Sequence, residues 1–173
     1  MMAYLIFQET GKRLDNQEEI HAFLESNEVI YEQWDTSKLP DTLKENYNLT
    51  DEDKSEILNT FKEEIDAISA RRGYKASDVI SLSDTTPNLD ELLTNFQREH
   101  HHTDDEVRFI VSGNGVFVIQ GKDDQFFEVH LDPGDLISVP PNVRHYFTLS
   151  DNRKVVAVRI FVDEAGWVPV YEK

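Results

Sequence analysis

The chain has 173 residues, 39% of them hydrophobic, with 34 acidic and 17 basic side chains, a formal charge of −17 and no cysteine. That length suits one domain with a real core. The missing thiols exclude a disulfide scaffold, a thiolate zinc site, an iron–sulfur cluster and a cysteine nucleophile, so a bound metal must be held by nitrogen and oxygen.

The acidity argues against nucleic acid and against an anionic membrane as partners, because both need a basic footprint. It reads as a well-solvated surface. The N-terminus lacks the basic region of a secretion signal, and the apolar runs fall far short of the roughly 20 residues of a membrane helix. The expected location is therefore cytoplasmic, and a monomer is the default expectation. Most of the acidic side chains precede residue 100, whereas five of the six histidines lie between His100 and His145.

In chain order, Ala3–Gln8 is a short apolar run expected to be a strand. Asp15 or Asn16 can cap a helix to about Glu25 with Ile20, Phe23 and Leu24 on one face. Glu28–Trp34 is β-branched and aromatic, hence a strand. Leu39–Asn48 contains Pro40 and reads as a connector. Thr50 with Asp53 forms a capping-box pattern, and Ile57, Phe61, Ile65 and Ile68 repeat at helical spacing, predicting one helix from Thr50 to Arg71 ended by Gly73. Asp78–Leu82 is a strand, and Asn88–Phe96 a short helix after Pro87.

From Glu99 the pattern changes. Short apolar runs at Val107–Val111, Val116–Ile119, Phe126–Leu131, Leu136–Val139, His145–Leu149, Val155–Val162 and Trp167–Tyr171 are separated by turn residues. This predicts a β-sandwich or barrel. No linker divides the chain, so one domain spans 1–173. Its helix-rich part (about 1–98) is expected to pack outside a β part (about 99–173) that carries the chemistry.

The chemistry centres on Glu99-His100-His101-His102-Thr103-Asp104-Asp105-Glu106-Val107-Arg108. In a strand, alternate side chains share a face. His100 and His102 point one way and His101 the other. Glu106 and Arg108 share the parity of the first pair if the strand resumes in register after a turn. Two imidazoles and a carboxylate on one face suit a divalent ion; the plainer alternative is a polar edge. The spacing His100-x-His102, Glu106, Gly113 resembles the first cupin motif. Gly134, Pro140 and His145 resemble the second, with Asn142 where glycine is usual and Leu149 where asparagine is usual. Asparagine tolerates the left-handed turn that glycine would supply. The two motifs imply a cupin-type β-barrel, mainly β with helices outside, and four ligands: His100, His102, Glu106 and His145. On an octahedral ion these leave two positions open, which suits catalysis rather than a structural site. His21, His101 and His130 have no motif partner and read as surface or strand-face histidines.

The residues around the motifs narrow the resemblance. Glu99-His-x-His-x-x-Asp105-Glu106-Val107-Arg108-Phe109, Asp78–Leu82, Leu136–Pro140, Val158–Phe161 and Gly166-Trp167-Val168 are similar to the signature blocks of the acireductone dioxygenase family, from about Trp34 to Trp167. The N-terminal 30 residues and His101 between the two histidines match it less closely.

That resemblance implies a dioxygenase of methionine salvage acting with O2 on a small-molecule enediol ketone that bears a methylthioethyl tail. One Fe2+ or Ni2+ per monomer is the implied cofactor. Iron would give formate and 4-methylthio-2-oxobutanoate; nickel would give formate, carbon monoxide and 3-methylthiopropionate. The resemblance also implies that Arg108 and Arg159 hold the anionic enediolate. Phe96, Phe147 and Trp167 would wall its tail. Glu99 and Asp105, of opposite strand parity to the ligands, are candidates to orient ligand imidazoles or to form surface pairs. Ordinary roles for the same residues are salt bridges for the arginines and acids and core packing for the aromatics. A different cupin enzyme, such as a sugar isomerase or another dioxygenase, or a non-catalytic cupin binding module, is the alternative function.

Overall fold

The structure is a computed structural model that describes residues 4–44, 46–47, 49–83, 91, 100–101, 106–122, 124–140, 143–149, 153–161 and 170–171; for His100, His101, Glu106, Phe161, Val170 and Tyr171 it describes the backbone alone. The expected helix Asn88–Phe96 falls outside the described residues, apart from Glu91.

The elements in chain order are β1 (Tyr4–Phe7), β2 (Arg13–Leu14), α1 (Gln17–Ser26), β3 (Ile30–Gln33), a 3-10 turn at Thr36–Lys38, α2 (Asp51–Thr60), α3 (Lys62–Arg72), β4 (Ala76–Leu82), β5 (His100–His101), β6 (Glu106–Gly113), β7 (Gly115–Gln120), β8 (Phe126–Leu131), β9 (Asp135–Val139), β10 (His145–Leu149), β11 (Val155–Phe161) and β12 (Val170–Tyr171). The strands form two sheets, in the orders β12-β5-β10-β7-β8-β1-β2 and β3-β9-β6-β11-β4. All the pairings are antiparallel. Strands from before residue 99 therefore enter both sheets: β1 and β2 extend the larger one, and β3 and β4 form the two edges of the smaller.

The sequence pattern explains which sheet is covered on both faces. β8 alternates, with Phe127, Val129 and Leu131 buried and Phe126, Glu128 and His130 partly exposed. That is the period of a strand with one wet face. In β9 and most of β11 every position is buried or nearly so. Their near-continuous apolar runs fit a sheet with the other sheet on one side and helices on the other.

Two cores follow from this. The inter-sheet core joins Leu5, Ile110, Phe117, Ile119, Phe127, Val129, Ile137, Val139, Phe147, Val155 and Ala157, with Ile20 and Leu24 of α1. The second core puts Ile57, Phe61, Ile65 and Ile68 of α2 and α3 against Val107, Phe109, Leu136, Val156, Val158 and Ile160 of the smaller sheet.

The single helix expected from Thr50 to Arg71 is in fact two. Its start is as expected: Thr50 accepts from the Asp53 N–H, and Asp53 accepts from the Thr50 N–H. Its end is also as expected, with Gly73 left-handed. Between them Phe61 leaves helical geometry, at φ −104° and ψ 17°. Phe61 is fully buried edge-on against Phe109, 4.8 Å between ring centroids. Burying that ring is worth a few kcal/mol, more than the local distortion costs. The break lets both short helices keep their apolar faces on a twisted sheet. Helical periodicity cannot register it, because all four apolar positions stay in phase.

The turns that join the strands are tied to each other. Gly113, the last residue of the first motif, has φ 75°, and a Cβ there would lie 2.2 Å from the Lys154 carbonyl oxygen, so only glycine fits. Asn114 donates from its side-chain nitrogen to Asp132. Asp135 is fully buried and accepts from Tyr31 Oη at 2.7 Å, from Gln33 Nε2 at 3.2 Å and from the Asp132 N–H at 2.8 Å.

Burial pushes the carboxyl pKa of both Asp132 and Asp135 up, despite these hydrogen bonds. The native state then binds protons more tightly than the unfolded chain. Stability from these groups is fullest below the ordinary carboxylate pKa of about 3.9 and falls as pH rises through the raised native values. Asp132 Oδ2 is buried without a hydrogen bond, so Asp132→Asn removes the charge and keeps the Oδ1 contact. Urea denaturation at pH 5 and pH 8 should show a shallower loss of stability with pH in this variant than in the parent chain. Parallel curves would contradict the assignment.

Candidate metal centre

His145, the first residue of β10, is 1% exposed. Its Nδ1 lies 2.8 Å from the Val143 carbonyl oxygen. A carbonyl only accepts, so Nδ1 carries the proton and Nε2 keeps the lone pair a metal needs. Across the β5–β10 ladder His145 stands directly opposite His100. The two cupin-like motifs, 45 residues apart in sequence from His100 to His145, thus meet at adjacent strands of the larger sheet.

Glu106 opens β6 in the smaller sheet, opposite Val139. On β6, Val107, Phe109 and Val111 face the helices, while Ile110 faces the other sheet. Glu106 and Arg108 share the parity of Ile110. Arg108 is 2% exposed, with its guanidinium carbon 4.3 Å from the Phe147 ring centroid and 5.3 Å from that of Phe117.

These contacts set the registration of the two sheets. Arg108 lies at the level of Phe147, and Ile110 lies 3.6 Å from the Cβ position of Gly115, which pairs with Leu149. One step back along each strand brings the Glu106 position level with His145. The backbones of three of the four expected ligand positions thus stand toward one end of the inter-sheet gap, His100 and His145 on the larger sheet and Glu106 on the smaller. His102 lies outside the described residues, as do Glu99, Asp105, Phe96 and Trp167. Among the described residues no cluster of three histidine or acidic side chains forms a metal site; only His145 of the expected ligands has a described side chain. The donor chemistry fits a divalent ion of borderline or hard character, and the buried, tautomer-fixed imidazole of His145 is the observation that speaks for it.

The remaining expectations fall as follows. Arg159 stands opposite Arg108 on one side and Asp78 on the other. It forms a two-point ion pair with Asp78, Nε to Oδ1 at 2.8 Å and Nη2 to Oδ2 at 2.5 Å. Arg108 and Arg159 are thus neighbours on one sheet face, and Asp78 offsets the charge of Arg159. Phe147 is 1% exposed and belongs to the inter-sheet core. His130 lies on the outer face of the larger sheet, stacked on Tyr4 at 4.4 Å and 2.8 Å from Glu128. His21 is exposed on α1 beside Tyr31. His101 pairs with Val170 at the edge of the larger sheet.

Sequence reasoning passed over three contributors: Asp78 as the partner of Arg159, Phe117 beneath Arg108, and the Val143 carbonyl. Asp78 does sit in one of the family-like blocks, but nothing in one strand's sequence says which residue will stand opposite. No helix among the described residues is long and apolar enough to cross a membrane.

Comparison with known proteins decides the family. The model of the ARD/ARD′ family matches residues 3–169. The chain belongs to the ARD/ARD′ family. Among its relatives, the acireductone dioxygenase of Bacillus subtilis (strain 168) is 66% identical over 173 residues, covering 100% of this chain and 97% of that protein. That of Bacillus thuringiensis subsp. konkukian (strain 97-27) is 66% identical over 170 residues, covering 98% and 100%. A solved acireductone dioxygenase from Bacillus anthracis, with a cadmium ion in its active centre, superposes with a TM-score of 0.96 at 64% identity, the match covering 98% of each chain. Membership of the ARD/ARD′ family makes the fold a cupin fold and the protein an oxygenase.

The Asp78–Arg159 pair yields a direct expectation. Asp78→Asn keeps the shape but removes the carboxylate that Arg159 pairs with across the β4–β11 ladder. Hydrogen bonds to charged groups contribute about 1.5–3 kcal/mol when sheltered and less when partly exposed. Asp78 is 43% and Arg159 27% exposed, so chemical denaturation should show a loss of roughly 1 kcal/mol. An unchanged unfolding midpoint would show that the pair does not contribute.

Proposed function

We propose that this chain cleaves the acireductone 1,2-dihydroxy-3-keto-5-methylthiopentene with O2, as an enzyme of methionine salvage in the cytoplasm. His100, His102, Glu106 and His145 are the proposed ligands of one Fe2+ or Ni2+. The observation that carries this reading is the buried guanidinium of Arg108, held on the same inner face as the Glu106 position and over the ring of Phe147, two residues along β10 from His145. Such a cation belongs beside a small anion rather than a neutral sugar. The family relatives named acireductone dioxygenase support it further.

When bound, the ion would supply a Lewis-acid centre with two open positions for the substrate's oxygens. The protein's own part is positioning and charge. The Val143 carbonyl holds the His145 ring in one orientation through Nδ1, leaving Nε2 as the nitrogen that would meet the ion. Arg108 is charged at every working pH. In a site walled by Phe117 and Phe147, its attraction for an enediolate is far stronger than it would be in water. That attraction favours binding of the substrate as its anion. Arg159 stands beside Arg108 and adds to the positive field, moderated by Asp78. Phe96 and Trp167 are the proposed apolar walls for the methylthioethyl tail, and Glu99 and Asp105 the proposed groups that orient ligand imidazoles.

The test is turnover of the acireductone by protein loaded separately with iron and with nickel. Loss of the enediol's ultraviolet absorbance should depend on oxygen. Formate should appear with both metals, carbon monoxide with nickel alone. Substrate lost only at its uncatalysed rate in both preparations would overturn the reading. His145→Ala should retain little metal by elemental analysis, a loss of at least ten- to a hundredfold in affinity; full metal content in that variant would remove His145 from the ligand set.

A further inference from the structure

Phe147 follows His145 by two residues and shares its face of β10, where an apolar wall for the substrate's tail would be expected. The structure gives it a different neighbour. Its ring is 1% exposed, packs 5.0 Å from the Phe117 ring, and carries the Arg108 guanidinium 4.3 Å above its centroid. A cation at that distance over an aromatic face is held by the ring's quadrupole. A delocalised guanidinium suits such a stack better than an ammonium would.

The ring has room there for one reason. Gly115 on β7 lies beneath it, and a Cβ at that position would sit 2.8 Å and 2.9 Å from two carbons of the Phe147 ring. Those distances are shorter than any real contact, so a side chain at 115 must displace the ring. The displacement has no easy outlet, because Phe117 and Ile110 are both fully buried beside it. Gly115 does not have a left-handed backbone; glycine is needed for the space it leaves and not for its torsions.

We infer that Gly115 and Phe147 are positioning residues for the anionic end of the substrate: the notch at Gly115 seats the Phe147 ring, and the ring fixes the Arg108 guanidinium where the enediolate binds. This rests on the proposed acireductone activity. It assigns Phe147 to the charge-binding side of the site rather than to the tail. Because Arg108 meets the same anion before and during reaction, misplacing it weakens ground state and transition state alike. Such a loss raises KM and leaves kcat nearly unchanged.

The experiment uses full-length Gly115→Ala and Phe147→Leu, the second nearly conserving volume in case the first folds poorly. Two substrates are compared, the methylthio acireductone and an enediol ketone with a shorter alkyl tail. Both variants should hold metal like the parent chain. KM should rise about tenfold or more, kcat should stay within about threefold, and the KM increase should be equal for both substrates. A readout independent of turnover is the nitrogen-15 NMR spectrum of the metal-free chain. The Arg108 Nε–H signal, assigned by its loss in Arg108→Lys, should lie upfield through the Phe147 ring current and should move downfield in both variants. Unchanged KM, or a KM increase that vanishes with the short-tailed substrate, would overturn the inference and return Phe147 to the tail wall. An Arg108 signal unaffected by Phe147→Leu would overturn it as well. Failure of the parent chain to consume either substrate would instead sink the proposed activity, so the two failures are distinct.

Discussion

The arrangement of this site depends on the packing of two sheets against each other. Antiparallel sheets stack about 10 Å apart, and the expected ligand positions lie on both: His100 and His145 on one, Glu106 on the other. No hydrogen-bond ladder connects β6 to β10. Their relative level is set by the side chains between them, foremost Arg108 on Phe147 and Ile110 near Gly115. A close-packed interior transmits even a methyl-sized change, so the geometry at the mouth of the gap is as rigid as the aromatic packing beneath it.

The gap has two unlike ends. At one, Asp135 gathers Tyr31, Gln33 and the Asp132 backbone, and Asn114 ties the turn after β6 to the turn after β8. At the other stand His145, the Glu106 position and the buried guanidinium of Arg108. Hydrogen bonds tie the first end together, and the expected ligand positions stand toward the second. The acidic character of the whole chain says little about this interior. Arg108 on β6 and Arg159 on β11 share the inner face of the smaller sheet, and Arg159 stands opposite the carboxylate of Asp78 in the ladder.

Much of this was legible in the sequence because the relevant signals are local. The cap at Thr50, the left-handed end at Gly73 and the strand runs after Glu106 each depend on residues a few positions apart. The two histidine-bearing motifs were legible because a metal site needs fixed residue types at fixed spacing. What stayed hidden depends on residues far apart in the chain. The break at Phe61 answers to Phe109 across the helix–sheet interface, and a helical repeat looks the same with or without it. Asp78 meets Arg159 only through the pairing of β4 with β11. Phe147 reads equally as a pocket wall or a cation platform until Arg108 is seen on its face. The entry of β1 to β4 into both sheets was also invisible, since apolar alternation does not name a strand's neighbours.

The central claim is that one divalent ion is held from both sheets by three imidazoles and one carboxylate, with two positions left for substrate. X-ray absorption spectroscopy of the metal-loaded protein, before and after anaerobic addition of the acireductone, tests it most directly. The account predicts a six-coordinate centre of nitrogen and oxygen atoms showing the multiple scattering of about three imidazoles, with two light-atom positions exchanged when substrate is added. A four-coordinate centre, or a spectrum the substrate leaves unchanged, would contradict it.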